Sequence, residues 1–192
     1  PLGGWGWDAS FDYGHNRFDF EVGNSLNTSL GPRQPPNKTV FDAGQLTLDQ
    51  MSVSLGLDRP LGPGPSAPGH LALGGELRLE HYAIHPGEPE SWRDGGSPDR
   101  TGGRAAVGAQ VFPGFRPQNA VNAWRHSLAA YADLEGDLGG RLRLGLAARF
   151  EDFSDFGSTL DGKASLRLAP VRQVVLRATA STGFRAPSLA QS

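Results

Sequence analysis

No cysteine occurs in the chain, and methionine occurs once. Disulfides, thiolate metal sites and a cysteine nucleophile are therefore excluded. Long apolar runs are missing as well. The longest, Leu128–Ala132, has five residues, against about 20 for a membrane-spanning helix. Charge of one sign is not in excess: 18 Lys and Arg oppose 20 Asp and Glu, for a net −2. With the bases scattered among acids there is no electrostatic footprint for nucleic acid, and no nucleic-acid partner is expected. No initiator Met and no basic-then-apolar leader stands at Pro1, so the chain reads as a fragment of a longer product. Glycine and proline are plentiful, 27 and 15 of 192 residues, but show no three-residue period, which excludes collagen.

What is present is alternation of apolar and polar residues, the mark of strands with a different environment on each face. About eight such segments follow one another. Trp5, Trp7, Ala9, Phe11 and Tyr13 share one face of the first, and Phe18, Phe20 and Val22 one face of the second, with a turn expected at Gly14. The third has Met51, Val53, Leu55 and Leu57 on one face. Leu46 and Leu48 fall on the opposite parity, so a bulge or change of environment is expected near Asp49 and Gln50. The fourth, Gly69 to His85, sets Leu71, Leu73, Leu77 and Leu79 against Glu76, Arg78 and Glu80. The fifth sets Leu128, Ala130, Ala132 and Leu134 against Tyr131, Asp133 and Glu135, and the sixth sets Leu142, Leu144, Leu146 and Phe150 against Arg143, Arg149 and Glu151. Leu166 and Leu168 then oppose Lys163 and Arg167, and Leu176, Ala178 and Ala180 oppose Arg177 and Thr179. No stretch carries the 3.6-residue period of a helix.

Connections after odd-numbered segments are short and those after even ones long, the longest at about 86–123. This is the parity of an up-and-down barrel wall. The connection from Asp58 to Gly69 departs from it. A β-sandwich produces the same alternation, but an extended run as long as Gly69 to His85 favours the barrel over the sandwich.

Sites that resemble chemistry have plainer explanations. His81 and His85 stand about 13 Å apart if extended, too far for one ion. Glu88, Glu90, Asp152 and Asp155 are residue types that bind hard cations, yet solvated loops hold them as readily. Asn27-Thr28-Ser29 and Asn37-Lys38-Thr39 match the glycosylation triplet, which arises often by chance. Gly62-Pro63-Gly64 reads as an irregular turn rather than a phosphate loop, because proline removes a needed N–H. No nucleophile elbow is present. Neither catalysis, a metal nor a cofactor is expected.

Three stretches resemble one family. Asn24–Gly31 with Phe41–Leu46, Gly108–Phe115, and Arg177–Leu189 with its Gly183-Phe184-Arg185-Ala186-Pro187-Ser188 run resemble segments of TonB-dependent outer-membrane receptors, and Arg149–Gly157 is similar to the family's arginine, acid and aromatic strand ends. The resemblance implies an all-β, antiparallel up-and-down meander of about eight strands, part of a transmembrane β-barrel of about 22 strands. Residues 1–192 would then form a partial barrel with a long outer loop at about 86–123. It further implies active uptake of a scarce nutrient such as an iron-siderophore across a Gram-negative outer membrane. The implied partners are outer-membrane lipid, the TonB complex through a plug domain that this stretch lacks, and the small-molecule nutrient. Ser192 stands where a finished barrel has an aromatic residue. The 183–188 run is read as architectural, with Gly183 relieving a clash where the strand leaves the ladder and Arg185 tying the loop base. Ligand contact is expected at Trp92, Arg93, Arg104 and Arg116. Two alternatives stay open: a complete eight-stranded outer-membrane anchor or adhesin, and a secreted carbohydrate-binding β-sandwich.

Overall fold

The computed structural model describes residues 4–62 and 68–191. Seven strands form one antiparallel sheet in sequential order: β1 (Gly6–Val22), β2 (Phe41–Leu61), β3 (Gly69–Pro86), β4 (Val121–Leu138), β5 (Leu142–Phe153), β6 (Gly157–Val171) and β7 (Val174–Ser181). The α-helix among the described residues is one short turn, α1 (Pro89–Trp92), and none is long and apolar enough to cross a membrane. β2 has 21 residues and β3 has 18, several times the usual length of about five or six.

Two expectations are corrected here. The first two alternating segments are one strand. Gly14 lies extended inside β1, and the change of apolar parity after Tyr13 marks a change of surroundings along that strand instead of a turn. Beyond the change, Phe20 meets the rings of Phe112 and Phe115, with centroids 5.3 and 5.4 Å away. The second correction concerns closure. Among the described residues the strand order begins at β1 and ends at β7 with no pairing between them, so the sheet is open, where part of a transmembrane barrel of about 22 strands was expected.

The parity shift expected in β2 is visible in its exposure. Leu48 is exposed on one parity, and Val53, Leu55 and Leu57 on the other. The connection from Asp58 shortens because β2 runs on to Leu61 and β3 starts at Gly69. Pro1, Pro63, Gly64 and Ser192 lie outside the described residues.

The chain divides into two compact units. One comprises the stretch ending at Tyr13, Gln50–Glu80 and everything from Arg125 onward. Its register sorts the two faces of the sheet. Leu134, Leu146, Ala164 and Ala180 stand opposite one another across β4 to β7, and so do Leu142, Leu168 and Leu176. The alternate positions carry Tyr131, Arg149 and Asp161, with Asp137, Arg143, Arg167 and Arg177 nearer the β4–β5 turn. The apolar face is largely uncovered: Leu146 is 61% exposed and Leu160 72%.

The other unit comprises Gly14–Asp49 and His81–Trp124. Its core lies where the segment between β1 and β2 meets the segment between β3 and β4. Leu30, Phe41, Ala43, Asn27, Ser29 and Ser91 are fully buried there.

Candidate functional site

On the polar face of the sheet unit, alternation turns charged side chains of β3, β4 and β5 the same way, and they pair across strands. Glu76 takes Arg78 and Arg149 on its two oxygens, at 2.5 and 3.2 Å, and Arg149 also reaches Glu151 at 3.1 Å. Ser127 Oγ donates to Glu151 at 3.0 Å. Burial alone would raise the Glu76 pKa, but the hydrogen bonds and charges of Arg78 and Arg149 outweigh it and hold the carboxyl below the usual range. Arg149 is correspondingly raised: burial lowers its pKa, and Glu151 and Glu76 more than compensate.

Arg125 is the hub of this region, with only 2% of its side chain exposed. Its Nε and one terminal nitrogen donate to Asp155 at 2.8 and 2.6 Å, and the other terminal nitrogen donates to the Pro187 carbonyl at 2.7 Å. Glu80 lies 3.9 Å away and the Phe156 ring 5.3 Å. A planar guanidinium can serve all of these acceptors at once. The segment after β7 is thereby held against β4. Phe184 packs on Phe156 at 5.6 Å and its N–H donates to Asp161 at 3.2 Å, and Leu189 is buried. A cleft of about 740 Å³ lies here, with walls that include Arg78, Glu80, Arg125, Glu151, Phe153, Phe184, Arg185, Ala186, Pro187 and Ser188.

Two roles given to the 183–188 run change. No atom lies within 4 Å of where a Gly183 Cβ would stand, so a clash is not what requires glycine there. Arg125, rather than the exposed Arg185, ties the segment down. No local pattern signals the role of Arg125, because its partners come from residues 30 and 62 positions away.

In the loop-rich unit, Asn27 is the corresponding hub. Its amide donates to the carbonyls of Glu90 and Arg93 at 2.9 and 2.8 Å, and its oxygen accepts from Ser29 Oγ at 2.7 Å and Gly108 N–H at 3.1 Å. Burial and full pairing leave this asparagine no room for a glycan. Gly95 lies so near Ser29 that a Cβ would overlap its carbonyl. Trp92 is half-buried and donates its indole N–H to the Gly87 carbonyl at 2.9 Å. Arg93 lies 3.7 Å from Glu90, and Arg104 pairs with Asp94. The Asp94 carboxyl is held below its usual range, first by Arg104, then by the Gly96 N–H and by the charge of Arg116. Arg93, Arg104 and Arg116 are all exposed, and Arg104 and Arg116 both act on Asp94. Three of the four acids weighed as cation ligands have cationic partners, Lys38 for Glu88 at 2.7 Å, Arg93 for Glu90 and, in the sheet unit, Arg125 for Asp155, and Asp152 is exposed. His81 and His85 part company: His81 lies 2.9 Å from Asn122 and stacks on Trp124 at 4.1 Å, and His85 is exposed.

The model of the family described as TonB dependent receptor-like, beta-barrel matches residues 1–192. The chain belongs to this family. No curated protein and no solved structure matches it.

Membership names the domain, and the geometry corrects what was inferred from it. Transport through a barrel requires strands closed around a bore, and a sheet ending at β1 and β7 encloses none. Active uptake of a siderophore or other nutrient, outer-membrane lipid and the TonB complex as partners, and an outer-membrane location were implied by reading the chain as part of such a barrel and are withdrawn. The eight-stranded anchor or adhesin, which is also a closed barrel, falls with them.

Proposed function

We propose that this domain binds carbohydrate, without turnover, in the cleft beneath the segment that follows β7. One observation carries the reading: Phe184, half exposed, stands in a cleft of about 740 Å³ beside Arg78, Glu80, Glu151 and Arg185. An aromatic face suits the apolar side of a sugar ring, and planar guanidinium and carboxylate groups suit its hydroxyls. The volume lies within the range of about 300–1,000 Å³ common for small-molecule sites. Of the sequence-based alternatives, the carbohydrate-binding one agrees best with an open sheet, although one sheet is present rather than the two of a sandwich. Contact at Trp92, Arg93, Arg104 and Arg116 is a separate proposal on the loop-rich unit, tested by the same titration with Arg116→Ala.

Calorimetric titration of the whole chain with neutral and acidic oligosaccharides tests the reading. Saturable binding is expected, with Phe184→Ala weakening it about fivefold or more and the oligosaccharide recovered intact. Binding by none of the sugars, or binding that Phe184→Ala leaves unchanged, contradicts it.

A further inference from the structure

The ladder brings three arginines together in one row. Arg143 of β5 stands directly opposite Arg167 of β6, and Arg167 directly opposite Arg177 of β7. Directly opposed side chains have Cβ atoms about 4.5–5.5 Å apart, and like charges in that relation are destabilising. One member is neutralised: Arg143 donates Nε and a terminal nitrogen to the two oxygens of Asp137, at 2.8 and 2.7 Å. That pairing holds the Asp137 carboxyl below its usual range, with the charge of Arg167 contributing. Arg167 and Arg177 are exposed, and neither side chain has a hydrogen bond or ion pair among the described residues.

We propose that Arg167 and Arg177 form an anion site that takes a phosphate group, two guanidiniums gripping a tetrahedral oxyanion whose two negative charges relieve their mutual repulsion. Guanidinium matches phosphate geometry through paired N–H donors. The extended register supplies the spacing, so no loop has to reorganise. Arg143, committed to Asp137, borders the site and contributes long-range charge. The proposal is independent of the cleft, which Arg167 and Arg177 do not line.

The test uses the whole chain at low ionic strength, where exposed charges are least screened. Inorganic phosphate and glucose 1-phosphate are the two probes, the first standing for free phosphate and the second for a phosphorylated saccharide. At least one is expected to bind saturably, and the tighter of them identifies the source. Arg167→Gln and Arg177→Gln are each expected to weaken binding about tenfold. Both are also expected to raise the thermal midpoint of the unliganded protein by about 1–3 °C, because each removes an opposed like charge. This gain in stability with loss of binding is what a merely structural arginine would not give. Binding of neither probe, binding unchanged in both variants, or a lowered midpoint without ligand overturns the proposal.

Discussion

The two units place polar and apolar groups differently. In the loop-rich unit the best-buried residues include Asn27, Ser29 and Ser91, whose side chains pair with backbone groups of neighbouring segments. In the sheet unit Leu146, Leu160 and Leu176 are among the most exposed residues. Irregular backbone has N–H and C=O groups that no ladder satisfies, so a buried loop must recruit polar side chains to complete them. A sheet completes its own, and its side chains are left to arrange themselves by face. The loop core therefore depends on individual polar residues, whereas the sheet depends on its register.

The largest effect that follows is at Asn27. Asn27→Ala removes four hydrogen bonds, leaving the part-buried Glu90 carbonyl without its donor and the Arg93 carbonyl with only Ser29 Oγ at 3.4 Å, a cost of about 3–4 kcal/mol. Denaturant unfolding followed through Trp92 and Trp124 checks this, and a loss below about 1 kcal/mol would remove the distinction between the units. Next is Arg125→Met, which keeps bulk but surrenders Asp155 and the Pro187 carbonyl. About 2–3 kcal/mol is expected to be lost, with faster proteolysis within 182–191 as the local readout.

A smaller effect concerns pH. Because Glu76 has its pKa lowered by Arg78 and Arg149, its contribution is complete above its ordinary value of 4.5 and is lost as pH falls through the lowered folded-state value. Comparing wild type with Glu76→Gln from pH 7 to pH 2 should show a difference of up to about 1 kcal/mol at neutrality that vanishes in acid. A difference that grows in acid would reverse the assigned sign. The smallest effect is at Leu160, where Leu160→Ser should change stability by less than about 0.5 kcal/mol, since so exposed a side chain buries little. A loss above about 2 kcal/mol would mean that the apolar face is covered.

The same contrast explains what could be read in advance. Period-two alternation assigned Leu134 and Leu146 to one face and Tyr131 and Arg149 to the other, and the register pairs them so. Parity also misled at Gly14, because a strand that passes from one set of neighbours to another changes parity without turning. The loop core was not legible. Asn27 stands in a triplet that invites a glycosylation reading, and three of its four partners lie 63 to 81 residues away, with no period to announce them. Nor was the cleft legible as a unit. Phe184 belonged to a recognisable run, but the grip of Arg125 on Pro187 is a long-range contact that only the folded chain displays. Membership of a larger barrel wall was inferred from resemblance, and whether β1 and β7 make a pairing with each other is something no local pattern records.

Amide hydrogen exchange along β1 and β7 measures that pairing most directly. An open sheet predicts that alternate amides of Val174–Ser181, those turned away from β6, exchange at nearly unprotected rates, while the amides of β5 are protected along the whole strand. Uniform slow exchange along β1 and β7, equal to that of β5, would contradict an open sheet and with it the binding role built on that sheet.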